Sequence, residues 1–156
     1  SLGNVAMTGD LKETLTGLFV EMAIIEHLTR SRFERNESLE IDAPTFGLLN
    51  YFVRTHKGPD SIAGIAWAFQ EEPKYTAAKI AAVELRGFLS VAPSNGAMED
   101  SIVSRTGAGR RALDDHLMKI APDFEGLVAE IPFEDLQTAY RVLHDIRLTL
   151  DNLPDR

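Results

Sequence analysis

Val83-Glu84-Leu85-Arg86-Gly87-Phe88-Leu89-Ser90-Val91 is where the chain changes its period. Before Gly87, the inner positions Thr76, Ile80 and Val83 recur every three to four residues, as on one face of a helix. After it, residues 88–91 read as a strand, Pro93-Ser94-Asn95-Gly96 as a turn, and residues 101–105 as a returning strand. Gly87 suits the left-handed backbone that often closes a helix. A helix that stops on glycine and runs directly into a hairpin decides how the rest of the chain is read.

Upstream, Pro73 fits the first position of that helix, where a missing N–H costs nothing. Gln70-Glu71-Glu72 makes the turn into it from a short helix capped by Asp60 or Ser61. The inner stripe of the short helix is Ile62, Ile65, Ala66 and Phe69, an i, i+3, i+4, i+7 set. Before it lies a helix capped by Asp42, with Pro44 in the first turn and Phe46, Leu49, Phe52 and Val53 on one face. It is expected to run to about His56 and to end at Lys57-Gly58-Pro59. Residues 11–35 form a long helix in which Leu11, Leu15, Leu18, Met22 and Ile25 alternate spacings of four and three. Downstream, Thr106 caps a fifth helix expected to reach Lys119 and to be broken at Pro122. After Pro132 a last long helix carries the seam Leu136, Ala139, Leu143, Ile146, Leu150 and Leu153.

The fold class expected is mostly α with a small β-hairpin wing: a winged helix-turn-helix flanked by N- and C-terminal dimerisation helices. Residues 1–156 read as one domain, with 42–106 as the winged core and 11–35 and 107–153 as a helical dimerisation platform. Leu11, Leu15, Leu18, Leu143, Ile146 and Leu150 are its expected contacts, giving a homodimer. Packing within one chain is the alternative account of both seams.

Two motifs carry a family resemblance. Val83–Leu89 resembles the "LE-x-x-G-hydrophobic-hydrophobic" run that ends the recognition helix of MarR-family transcriptional regulators. Ser104-Arg105-Thr106-Gly107-Ala108-Gly109-Arg110-Arg111 resembles the "L-T-x-x-G-R" run after that family's wing. The order and spacing match, and the resemblance covers almost the whole chain. It implies a homodimer on palindromic double-stranded operator DNA, with a small aromatic effector as a further partner. No cofactor and no catalytic residue are implied. The DNA-contacting positions expected are Lys74, Tyr75, Thr76, Lys79, Asn95, Arg105 and Arg110. His27, Phe46, Tyr51 and Trp67 are the expected lining of an effector pocket, with packing as the competing account for each.

Departures from the family pattern favour a second reading. The recognition helix usually presents a Thr-Arg pair and a further basic residue, where this chain has Ala77-Ala78 and Ala82. Val91 replaces a common Arg, and the wing keeps an acidic residue but not the Arg that usually accompanies it. A winged-helix protein that has lost DNA binding and serves protein interaction or ligand sensing would show the same changes.

Charge placement bears on both readings. The net charge is −8, but residues 58–111 hold six basic and six acidic side chains, whereas residues 112–156 hold four and ten. The middle of the chain is therefore least repelled by phosphates. With no cysteine, disulfides and thiol chemistry are excluded, which fits a cytoplasmic protein. No apolar run approaches a membrane span, and Ser1-Leu2-Gly3-Asn4 lacks the basic start and apolar core of a secretory leader. His27, His56, His116 and His144 show no i, i+4 pairing, so no metal site is expected. Gly107-Ala108-Gly109 lacks the spacing of a phosphate loop, and no Ser–His–Asp order stands out, so the chain does not read as an enzyme.

Overall fold

The computed structural model describes residues 9–36, 39–54 and 58–154. The end of the second helix, expected at His56-Lys57, lies outside them. Six helices and three short strands follow in the order α1 (Gly9–Arg35), α2 (Ala43–Arg54), β1 (Asp60–Ser61), α3 (Ile62–Phe69), α4 (Pro73–Leu85), β2 (Leu89–Ala92), β3 (Ile102–Arg105), α5 (Gly107–Leu127) and α6 (Phe133–Asp151). The chain divides into two compact units, Ser1–Ala43 and Pro44–Arg156.

The first unit is dominated by α1. No described residue of α1 is buried: Leu11 and Leu15 are exposed, and Leu18 and Met22 half-buried. The helical period is therefore present, but the apolar stripe still faces water in one copy of the chain.

The second unit holds the core. Leu48, Leu49 and Phe52 of α2 are buried, as are Ile62, Ile65 and Ala66 of α3 and Thr76, Ile80 and Val83 of α4. Local signals start and stop these helices much as the sequence indicates. The Ser61 hydroxyl accepts from the Gly64 N–H at 3.0 Å and caps α3. Gln70 takes φ 54° to close it, and Pro73 opens α4. Gly87, at φ 84°, ends α4 in the left-handed region open to glycine.

Three details differ from expectation. The hairpin is part of a three-stranded antiparallel sheet ordered β1-β3-β2, with Asp60 opposite Val103 and Ser61 opposite Ile102. Asp60 and Ser61 were expected only as a cap, because two polar residues carry no alternation to read. Strand β2 is shifted by one residue, to Leu89–Ala92, and Leu89 pairs with Arg105. Helix α5 passes through Pro122 to Leu127 instead of breaking. A proline removes one i to i−4 bond, and here the helix continues past it although residues 122–127 are exposed.

In α5, Ala112, Leu113, His116 and Ile120 face the core, and the Phe46 ring of α2 lies 5.2 Å from that of His116. Burial, aided by the nearby Lys119 charge, holds the His116 imidazole below its ordinary value of 6.5. Below that pH the unfolded chain binds a proton that the folded chain refuses. Stability is therefore full above about pH 6.5 and falls as the pH drops toward the depressed folded value. Acidification should lower the melting temperature of the wild type more than that of His116→Leu. Equal losses in paired thermal melts would remove His116 as the source.

Candidate nucleic-acid interface

Helices α3 and α4, joined by the turn at residues 70–72, form the helix-turn-helix, and the β2–β3 hairpin follows directly as the wing. Several ties lock this arrangement. The Glu84 carboxylate on α4 accepts from the Val91 N–H of β2 at 2.7 Å. The Arg86 guanidinium lies over the Phe88 ring at 4.8 Å. Thr106 does three things: its N–H donates to Phe88 O at 3.1 Å, its hydroxyl donates to Gly87 O at 2.6 Å, and the same oxygen accepts from the Gly109 N–H at 3.0 Å. One residue thus caps α5 and clamps the exit of α4. Gly109 completes the contact, since a Cβ there would overlap the Phe88 carbonyl.

The sheet is tied back to α2. The Tyr51 hydroxyl donates to the Asp60 carboxylate at 2.5 Å, and the other oxygen of that carboxylate accepts from the Ser61 N–H at 2.8 Å. Tyr51 is 3% exposed, with its ring against Phe52 and Phe69. It is a core residue joining α2 to β1, with both its hydroxyl and its ring engaged. Phe46 packs on His116, Trp67 is 56% exposed on α3, and His27 is exposed on α1.

The expected DNA-contacting residues divide into two groups. Lys74 and Tyr75 are exposed near the start of α4, Asn95 at the wing tip, and Arg110 in the first turn of α5. Arg105 is half-buried on β3. Among the described residues, Lys74, Arg105 and Arg110 make no ion pair. Thr76 does not face outward: it is 0% exposed and its hydroxyl donates to the Glu71 carboxylate at 2.8 Å. A fully buried side chain cannot reach a base edge, which removes Thr76 from the expected set. Lys79 is held by the other Glu71 oxygen at 2.5 Å and lies 5.6 Å from the Phe69 ring and 5.0 Å from the Tyr75 ring. Sequence reasoning read Glu71 only as part of a turn. Its role could have been sought from an acid just before a helix with a Thr and a Lys in the first two turns, a weak signal.

The only cation of the wing is Arg105, at the end of β3. From Phe88 to Ser104 there is no Lys or Arg, and Glu99 and Asp100 stand exposed in a 3₁₀ turn at the tip. Among the described residues, no group of three or more His, Asp or Glu could hold a metal ion, and no helix is long and apolar enough to cross a membrane.

The arrangement is shared by solved structures of regulators. A MarR family protein from Bacillus stearothermophilus superimposes with a TM-score of 0.71 at 14% identity, over 93% of this chain and 99% of that one. The fold is that of the MarR regulators. The Staphylococcus aureus MarR bound to salicylate and kanamycin gives 0.69 at 14% identity, over 93% and 96%. The organohalide-sensing regulator RdhR, in its 2,4-dichlorophenol-bound form, gives 0.66 at 15% identity, over 99% and 91%. No protein-family model and no curated protein matches the sequence. Within this fold α4 is the second helix of the helix-turn-helix and the hairpin is the wing.

Proposed function

We propose that this chain is a dimeric transcriptional regulator of MarR type that binds palindromic duplex DNA through α4. The observation that carries this reading is the exposed start of α4, with Lys74 and Tyr75 facing outward beside an ordered wing. The core at 42–106 would supply the reader. The helices at 11–35 and 107–153 would bury their apolar faces against a second copy. A small aromatic effector is part of the proposal, supported by the salicylate and dichlorophenol held by two proteins of the same fold. Phe46 and Trp67 are its candidate contacts. Such an effector acts only by favouring one spacing of the paired recognition helices over another. A regulator of this kind works in the cytoplasm and needs no catalytic residue.

Affinity is expected to be modest and salt-dependent. Each neutralised phosphate contributes about 0.9 to the slope of log K against log salt. Lys74→Ala should flatten that slope by about one per subunit. Glu71→Gln should steepen it, because Lys79 loses its carboxylate partner while Thr76 keeps an acceptor. Fluorescence anisotropy on a labelled duplex across a salt series measures both, and a wild-type chain that retains no duplex at low salt refutes the reading. The lack of Lys and Arg from Phe88 to Ser104, with Glu99 and Asp100 at the wing tip, favours the second reading, a winged helix that binds protein or small ligand instead of DNA.

A further inference from the structure

The outward face of α4 is built from small and apolar side chains. At 100° per residue, Lys74, Ala78, Ala81, Ala82 and Leu85 share one face, with Tyr75 at its edge. All six are exposed, Tyr75 at 61% and Leu85 at 91%. Thr76, Lys79 and Arg86 are withdrawn from it. Glu71 holds both the Thr76 hydroxyl and the Lys79 ammonium, and the Arg86 guanidinium lies over Phe88. What remains is a row of alanine methyl groups, with Lys74 and Tyr75 near the helix start and Leu85 at its end.

Bases differ in what they offer such a face. In the major groove guanine is read by paired donors from Arg or Lys, and adenine by the amide of Asn or Gln. Thymine alone presents a methyl group, which alanine matches. Alanine also leaves the helix backbone free to approach the base edges closely. Resting on the DNA-binding reading above, we propose that α4 recognises its half-site through thymine methyl groups packed on Ala78 and Ala82, so that the bases beneath this helix are A·T pairs.

The test begins with selection of the full-length chain against randomised duplexes at low salt. In the recovered duplexes each thymidine is then replaced by deoxyuridine, which deletes the methyl and preserves both pairing and the O4 acceptor. Thymine-rich half-sites are expected, with binding weakened about fourfold for each contacted methyl removed. Ala78→Gln, at an exposed position, should move the preference at one base pair from thymine to adenine. Recovery of guanine-anchored sites, or no loss with deoxyuridine, overturns the inference while DNA binding stands. Failure to retain any duplex at low salt overturns both and leaves this face to a protein partner.

Discussion

Gly109→Ala is expected to lower the melting temperature by about 10 °C, while Gly126→Ala in the same helix leaves it unchanged or slightly raised. Both residues lie in α5, so helix propensity alone favours alanine at each. Their surroundings differ. A Cβ on Gly109 overlaps the Phe88 carbonyl and comes within 3.2 Å of Arg105 Cγ, whereas one on Gly126 meets nothing within 4 Å. The Phe88 carbonyl cannot simply move aside, because it accepts from the Thr106 N–H. Forcing α5 away from that backbone costs about 3 kcal/mol or more. For a domain of this size each kcal/mol is worth about 2–4 °C. Differential scanning calorimetry of the two variants decides the matter. Equal melting temperatures would mean that α5 can slide off the end of α4 without cost, and the account of the Thr106–Gly109 clamp would be wrong.

Leu143→Asp is expected to reduce the particle mass from twice the 17.3 kDa of one chain to that of a single chain. No described residue of α6 is buried; Leu143 is 42% exposed and Leu150 51%, while Ile146 is half-buried. In α1, Phe19, Ile25 and Leu28 are likewise more than half exposed. Helices of this length gain most of their stability by burying an apolar face, and contiguous exposed apolar surface of this kind marks an interface. In a two-fold dimer one substitution acts twice, and each carboxylate placed in the seam carries a desolvation penalty of several kcal/mol. Light scattering after size exclusion gives the mass directly. An unchanged mass for Leu143→Asp, with its helix content retained, would show that the α6 seam is not where two copies meet.

Much of the frame was legible because its signals are local. The alternating spacing of apolar residues, Pro73 at a helix start, Gly87 at a helix end and Thr106 as a cap each act within one turn of chain. Local geometry also explains why the fold class could be read without homologues. The expected interface was less legible. Lys79 and Thr76 look like free polar residues on a helix, yet their partner Glu71 sits across a turn, eight and five residues away. Nor does the sequence show that the Tyr51 hydroxyl is taken by Asp60, nine residues on.

By itself the sequence determined which segments are helical, where most of them begin, and that a hairpin follows the fourth, since backbone preference and apolar period depend only on near neighbours. Tertiary structure alone decided which polar side chains remain available to a partner. It also decided that Asp60–Ser61 would complete the sheet and that Gly109 must lack a side chain. These outcomes turn on atoms brought together from distant positions, where burial and a satisfied hydrogen bond outweigh what any residue prefers locally.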